Sequence, residues 1–236
     1  MGAYAGRTAL VTGSRRGVGK LIADHFLEQG ALVVGFAKGE STIDHAAYHH
    51  FQVDLADAAA IGPAFASLRQ SATAIDIVVN NAAVLTSQYA MIMPPSAAQA
   101  MVNVNLLAPF LVSREAAKMM RKTKWGRIIN IGSMAASLEP VGDSIYAATK
   151  AGLSTLTNVM AKEFGSMNVT CNTLAITAIE TDMLSQLPRE KIDAIIAGLP
   201  IPRFAKLDDI LNIIDFFASE RSSYITAQTI FMGGVN

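Results

Sequence analysis

The stretch Thr12-Gly13-Ser14-Arg15-Arg16-Gly17-Val18-Gly19 decides the fold, because it joins a short apolar run to a pattern of helical period. The run before it, residues 7–12, is rich in residues that favour strands. Residues 17–29 then repeat apolar side chains at helical spacing, and Gly30 ends that pattern. A glycine-rich turn between a strand and a helix brings free N–H groups of the helix N-terminus close to a ligand. The stretch therefore predicts a site for the pyrophosphate of a nucleotide.

Strand-like runs and helical patterns alternate along the rest of the chain. Further strands are predicted at 31–36, 51–53, 75–79, 127–131, 168–174 and 228–231, and further helices at 97–121, 146–164 and 207–218. Pro109 should kink or interrupt the helix at 97–121, because proline has no N–H for the helical hydrogen bond. This alternation predicts a doubly wound α/β fold, a parallel sheet with helices on both faces. No repeat or low-complexity linker divides residues 1–236, so a single domain is expected.

Composition excludes several classes of protein. The 236 residues are 51% hydrophobic and 16% charged, which excludes a disordered chain. Lys and Arg balance Asp and Glu at a net charge of +0, without a basic block, so no nucleic acid partner is predicted. Cys171 is the only cysteine, which excludes an internal disulfide and a cysteine-based zinc site. The four histidines lack metalloprotease spacing, and no metal is predicted.

The location of the protein is expected to be cytoplasmic. No apolar run approaches the roughly 18 residues that a membrane span needs, so no membrane partner is expected. The first seven residues have neither the charged region nor the long apolar region of a signal peptide.

The end of the second strand indicates which dinucleotide binds. An NAD site normally places an acidic residue there, to hold the ribose hydroxyls. Here the strand ends Gly35-Phe36-Ala37-Lys38, and Arg16 of the glycine-rich turn is expected near the same ribose. Two cations suit the 2′-phosphate of NADP(H), which they would hold by charge-assisted hydrogen bonds.

Three side chains form a candidate catalytic group. Tyr146 and Lys150 are four residues apart and share one helix face, and Ser133 ends the fifth strand. A free tyrosine has a pKa near 10, which the Lys150 ammonium and an oxidised nicotinamide would lower. Protonated Tyr146 would then give its proton to a carbonyl oxygen as hydride arrives, while Ser133 bonds the same oxygen.

At this point the sequence resembles the classical short-chain dehydrogenase/reductase family over nearly its whole length. The residues that carry the resemblance are Thr12-Gly13, Gly17-Val18-Gly19, Asn80-Asn81-Ala82-Ala83, Asn105, Ser133, Tyr146 and Lys150. The resemblance implies a Rossmann-type fold with sheet order 3-2-1-4-5-6-7 and NAD(P)-dependent carbonyl and alcohol chemistry. It also implies that Tyr146 is the general acid/base, that Ser133 orients the substrate oxygen, and that Lys150 tunes Tyr146 and binds the nicotinamide ribose.

The same resemblance implies further site residues. Asn105 would hold a water that links Lys150 to solvent, Asp54 would meet the adenine, and Thr181 would bond the nicotinamide carboxamide. The full set expected to bind NADP(H) is Gly13, Arg15, Arg16, Gly17, Val18, Gly19, Lys38, Asp54, Leu55, Asn81, Tyr146, Lys150, Ile179 and Thr181. A substrate loop is expected at about 183–202. The connection from Lys38 to His50 has room for at most a stub of helix.

Within the family the sequence looks most like the 3-oxoacyl-acyl-carrier-protein reductases. That likeness is carried by residues 179–183, residues 223–226 and the Gly233-Gly234 ending. It implies a 3-oxoacyl thioester substrate and, through Lys124, an acyl carrier protein as a possible partner, although Met167 replaces a further cation. Ala83 stands in place of the family's glycine, and Ile176-Thr177 in place of its Pro-Gly.

Two other functions stay open. One is a specialised reductase of a polyketide, sugar or other small ketone, and the other is a dinucleotide-binding protein without catalysis. The Met-, Leu- and Ile-rich segment at 183–202 favours an acyl substrate over a free sugar.

The family is usually tetrameric, and the predicted helices carry surplus apolar residues that imply a homotetramer of 222 symmetry. These residues are Phe110, Leu111, Met119, Leu153, Leu156, Val159 and Met160.

Overall fold

A seven-stranded parallel sheet in the order β3-β2-β1-β4-β5-β6-β7 forms the centre of the computed structural model, which describes residues 2–71, 73–179 and 189–235. The sheet order and the fold class are those predicted. The strands are β1 Thr8–Thr12, β2 Leu32–Ala37, β3 Tyr48–Gln52, β4 Ile77–Asn80, β5 Gly126–Ser133, β6 Val169–Ile176 and β7 Thr229–Phe231.

Helices cover both faces of this sheet. They are α1 Gly17–Glu28, α2 Ala58–Gln70, α3 Pro95–Val102, α4 Ala108–Thr123, α5 Ala135–Leu138, α6 Ser144–Phe164, α7 Arg189–Ala197 and α8 Leu207–Ala218. Successive strand residues point to opposite faces, so Leu10 packs with α2, α4 and α6, whereas Ala9 and Val11 pack with α1 and α8. Both faces are therefore apolar, and the inner strands read as largely apolar runs, unlike the edge strand β3, where His49 and Gln52 are exposed.

The single helix predicted at 97–121 is two helices in the structure, α3 and α4, which an irregular turn joins. Residues Asn103–Leu107 form a π-helical turn between α3 and α4, in which the Ala108 N–H donates to the Asn103 carbonyl. The cause lies in the sequence, because Pro109 has no N–H to donate to the carbonyl of Asn105. Such turns are frequent at functional sites, and this one places Asn105 in the interior with 1% exposure.

By length and composition, the helical stretch Pro95–Thr123 could cross a membrane. Its apolar side is instead part of the protein core, where Val112, Ala116 and Met120 pack against the sheet. The opposite side carries Arg114 and Lys118, both paired with Glu115. Burial in the core accounts for the apolar composition of this stretch.

Two connections bear on the site. Residues 38–47, between β2 and β3, contain no helix, in agreement with the short connection expected there. The segment predicted as a substrate loop at 183–202 is not a loop throughout, since residues 189–197 form α7. Residues 183–188 lie outside the described residues.

Candidate active site

One cavity of about 670 Å³ lies beyond the carboxyl ends of strands β1 to β6. Parallel strands bring the residues that follow them to the same edge of the sheet, which is where such folds bind ligands. Of the residues predicted for the site, the cavity is lined by Gly13, Arg15, Arg16, Gly17, Val18, Gly19, Lys38, Asp54, Leu55, Asn81, Ser133, Tyr146, Lys150 and Ile179. Asn105 lies behind this lining, and Thr181 is outside the described residues.

The glycine-rich turn is held against the neighbouring strand. Thr12 Oγ1 accepts hydrogen bonds from the N–H groups of Asn81 and Ala82, each at 3.0 Å, and Asn81 Nδ2 donates to the Thr12 carbonyl at 3.0 Å. A Cβ on Gly19 would lie 2.3 Å from both Asn81 Nδ2 and the Gly13 carbonyl oxygen. Only glycine therefore lets the first turn of α1 come this close to β1.

The N-terminus of α1 opens beside the cavity. Its N-cap residue, Arg16, makes no capping bond with its side chain, and the first turn contains no acidic residue. Such a terminus presents N–H groups and the positive end of the helix dipole, which suit an anion. The glycine cradle and these donors fit the pyrophosphate of a dinucleotide.

Lys38 and Asp54 meet at the far end of the cavity, beside the end of β2. Lys38 Nζ is 2.8 Å from Asp54 Oδ2. The bond from Lys38, with a second from the Ala56 N–H, lowers the pKa of Asp54. The sequence assigned these two residues to separate contacts, and their ion pair could not be read from it, because it depends on how β2 and β3 end side by side.

Ser133, Tyr146 and Lys150 meet at the other end of the cavity. Ser133 ends β5, and Tyr146 and Lys150 follow one another on α6. The Ser133 hydroxyl lies close enough to Tyr146 to lower, by itself, the pKa of the phenol. Lys150 Nζ donates to the Ile131 carbonyl at 2.7 Å and lies 5.8 Å from the centre of the Tyr146 ring. A hydroxyl, a phenol and an amine therefore surround one corner of the cavity.

The pKa of Tyr146 differs from the expectation. Burial raises it, the nearby Ser133 hydroxyl lowers it, and the charge of Asp143 raises it, so that the net pKa lies above the ordinary value of 10.0. Lys150 does not contribute to this shift, and burial lowers the pKa of Lys150 itself to about 8. Tyr146 is consequently a protonated acid at neutral pH.

Asn105 links two elements that surround these residues. Its Oδ1 accepts from the Val84 N–H and its Nδ2 donates to the Val84 carbonyl, both at 2.9 Å. Nδ2 also lies 3.3 Å from Thr149 Oγ1, next to Lys150 in the chain. The side chain thus fixes the segment after β4 against α6.

Several cavity residues were missed by the sequence reasoning. Leu85, Leu138 and Ile195 give the cavity an apolar wall, and no motif marks them. The residues that depart from the family pattern also line the cavity. They are Ala83, Ile176 and Thr177. The buried Oγ1 of Thr177 has no hydrogen-bond partner among the described residues.

A family model described as short chain dehydrogenase matches residues 7–192. The chain belongs to the short-chain dehydrogenase family. Similar family members include the 3-oxoacyl-[acyl-carrier-protein] reductase FabG of Salmonella typhimurium, 32% identical, covering 98% of this chain and 97% of the relative. The reductase of the same name from Vibrio harveyi is 34% identical, covering 97% of this chain and 96% of the relative. The chain is therefore an oxidoreductase of this family, as predicted.

Solved structures of family members show the same fold. A gluconate 5-dehydrogenase from Burkholderia cenocepacia, in complex with NADP and tartrate, matches with a TM-score of 0.92 and 30% identity, over 98% of this chain and 94% of that chain. A putative gluconate dehydrogenase from Agrobacterium tumefaciens matches with a TM-score of 0.89 and 28% identity, over 98% of this chain and 96% of that one.

Proposed function

We propose that the protein is an NADPH-dependent ketone reductase. The observation that carries the proposal is the meeting of Ser133, Tyr146 and Lys150 at one corner of a cavity whose other parts fit a dinucleotide. Bound NADPH supplies a hydride to the carbonyl carbon of the substrate. Tyr146 gives its proton to the carbonyl oxygen, and Ser133 donates a hydrogen bond to the same oxygen.

Lys150 acts on Tyr146 and on the cofactor ribose in this proposal. Its ammonium stabilises the negative charge that develops on Tyr146 as the proton leaves. Asn105 holds the surrounding segments in place and supports the path that returns a proton from solvent. The residues proposed to bind the cofactor are those predicted from the sequence, including Ile179 and, outside the described residues, Thr181.

We expect cofactor choice to depend on Arg16 and Lys38. Replacing either with alanine should weaken NADPH binding about tenfold or more and NADH binding less, because only NADPH has the 2′-phosphate. Fluorescence titration of each variant with both cofactors measures the two dissociation constants. Equal losses for NADPH and NADH would remove these residues from the phosphate site.

The proposed substrate is a 3-oxoacyl thioester. The apolar wall of Leu85, Leu138 and Ile195 suits an acyl chain, and the reductases named above act, by their names, on 3-oxoacyl groups of a carrier protein. The alternative is a polyketide, sugar or other small ketone or alcohol, which the two gluconate dehydrogenase structures favour. A non-catalytic dinucleotide-binding protein is a third possibility that the intact residues at 105, 133, 146 and 150 disfavour.

A panel of ketones distinguishes these functions. We expect oxidation of NADPH with an acetoacetyl thioester, and slower turnover with a keto-sugar acid such as 5-ketogluconate. Faster turnover of the sugar acid would assign the protein to the alternative. Absence of turnover with every ketone, in protein that binds NADPH, would favour the non-catalytic function.

The proposal extends to partners and location. Lys124, on the turn between α4 and β5, offers a positive charge to an acyl carrier protein. A reductase of fatty acid biosynthesis would work in the cytoplasm. A pull-down with acyl carrier protein, repeated with Lys124→Glu, tests that contact, and binding that survives the charge reversal would remove Lys124 from it.

We also propose a homotetramer, with a revised interface. Leu153 and Met160 were counted among the surplus apolar residues, but each is 1% exposed and lies in the core. Val159 and Leu107 stay exposed, and Phe110, Leu111, Met119 and Leu156 are half-buried. Large apolar surfaces of this kind usually meet a partner.

Val159→Asp should split the tetramer and lower activity, because a carboxylate would have to be desolvated in the contact. Light scattering at micromolar concentration measures the mass. A wild-type monomer with full activity would contradict the assembly. The matched control is Lys162→Asp, an exposed position on the same helix.

A further inference from the structure

The segment after β2 lacks the backbone hydrogen bonds that a helix would give it, and side chains hold it instead. The carbonyl of Lys38 accepts from Gln52 Nε2 at 2.9 Å, and that of Gly39 accepts from His50 Nε2 at 2.8 Å. The carbonyl of Glu40 accepts from Arg15 Nε at 3.2 Å. Three consecutive carbonyls therefore have a fixed direction.

A chain of hydrogen bonds continues from His50 to the glycine-rich turn. Tyr48 Oη lies 3.2 Å from His50 Nδ1 and 2.8 Å from Ser14 Oγ. A carbonyl can only accept, so His50 Nε2 carries the proton toward Gly39, and Nδ1 of the neutral ring accepts from Tyr48. Tyr48 then accepts from Ser14. The chain thus joins the turn that fits the pyrophosphate to the segment that follows β2.

Gly35 of β2 makes this arrangement possible. A Cβ at Gly35 would lie 1.9 Å from Tyr48 Oη and 2.4 Å from Ser14 Oγ, both too close for any side chain. The phenol of Tyr48 is half-buried over β2, and burial raises its pKa. Tyr48 therefore keeps its proton and can donate a hydrogen bond to His50 Nδ1.

The direction of the carbonyls decides where the amides point. In a trans peptide the N–H points opposite to the C=O, and the chain has no cis peptide among its described residues. The N–H groups of Gly39 and Glu40 thus point away from β3, which carries Gln52 and His50. The N–H of Ser41 points away from Arg15, which lies on the other side of β2, and so has the opposite direction. None of these three N–H groups has a hydrogen-bond partner in the part of the chain that the structure describes. Lys38 and Gly39 line the cavity together with Arg15 and Arg16.

We propose that Tyr48, His50 and Gln52 are positioning residues that set the preference for a 2′-phosphate, by holding the amides of Gly39 and Glu40 as an anion-binding segment beside Lys38. The inference rests on the proposed use of NADPH. Successive backbone N–H groups that converge on one side form a concave site for an anion. Without the side-chain bonds these peptides can turn, and a turned peptide presents its carbonyl oxygen to the phosphate and repels it.

The test uses 2′,5′-ADP and 5′-AMP as probes, since they differ only in the 2′-phosphate and bind without any turnover. His50→Ala should weaken 2′,5′-ADP binding about 3- to 10-fold by calorimetry, the range for one lost hydrogen bond, and change 5′-AMP binding less than about 2-fold. His50→Gln keeps an N–H donor near the position of Nε2 and should restore the affinity. Tyr48→Phe, which keeps the ring, should give a loss like that of His50→Ala.

His49→Ala is the matched control, because His49 is exposed on the same strand. Thermal unfolding of each variant establishes that it folds. Equal losses for both probes, or failure of His50→Gln to restore binding, would overturn the positioning role. A wild-type protein that binds both probes equally would instead overturn the proposed use of NADPH. Wild-type selectivity that survives in His50→Ala and Tyr48→Phe would overturn this inference alone.

Discussion

Replacing Tyr146 with phenylalanine is expected to lower kcat by at least about two orders of magnitude, the usual scale for lost acid catalysis. The ring fills the same space, while the proton that the carbonyl oxygen needs is gone. Burial raises the pKa of Tyr146, so the wild-type phenol carries that proton at neutral pH. Steady-state kinetics with saturating NADPH and an acetoacetyl thioester measure the loss.

The control for this change is Tyr224→Phe, at a tyrosine that is 97% exposed. It should leave kcat unchanged. Tyr146→Phe should also keep its affinity for NADPH, because the residues proposed to hold the phosphates and the adenosine lie at the other end of the cavity. Near-normal turnover in folded Tyr146→Phe protein would show that another group supplies the proton.

Replacing Lys150 with methionine is expected to lower kcat by about 100-fold or more, on the scale of losing one preorganised electrostatic group. Methionine fills a similar volume but has no charge and cannot donate to Ile131. The wild-type pKa of Lys150 is lowered to about 8 by burial. The ammonium is therefore present below about pH 8 and lost above it.

This pKa predicts a pH dependence with a definite sign. The wild-type rate of ketone reduction should be level through the neutral range and fall above about pH 8, as Lys150 loses its proton and no longer attracts the charge that develops on Tyr146. Lys150→Met should lack that fall. Lys162→Met, at an exposed lysine on the same helix, should keep the wild-type profile. A fall at the same pH in Lys150→Met would assign the titration to another group.

Much of the fold follows from sequence periodicity. Strand β5 is marked by Ile128-Ile129-Asn130-Ile131 and α8 by apolar residues at helical spacing, and α8 has the predicted bounds, Leu207–Ala218. Burial on both faces produces these signals directly. Helix α2 was missed, because Gly62 and Pro63 lie inside it and lower its apparent helical propensity. In the structure Asp57 caps its first turn and Phe65 anchors it in the core.

The candidate site was predictable where it depends on short motifs. Ser133, Tyr146 and Lys150 lie on elements whose order the motifs already fix. Two features of the site were not predictable from the sequence. They are the ion pair of Lys38 with Asp54 and the chain of hydrogen bonds from Ser14 through Tyr48 to His50. Both join residues that only the packing of β1, β2 and β3 brings together. The raised pKa of Tyr146 likewise reflects burial, for which the spacing to Lys150 gives no signal.

Transfer of deuterium from the cofactor tests the central proposal most directly. NADPH that carries deuterium at both C4 positions is incubated with the protein and an acetoacetyl thioester, and the product is analysed by mass spectrometry. A hydride moving from the nicotinamide to the carbonyl carbon predicts a 3-hydroxyacyl product with one deuterium on the carbinol carbon. An unlabelled alcohol, or no alcohol from any ketone of the panel in protein that binds NADPH, would contradict it.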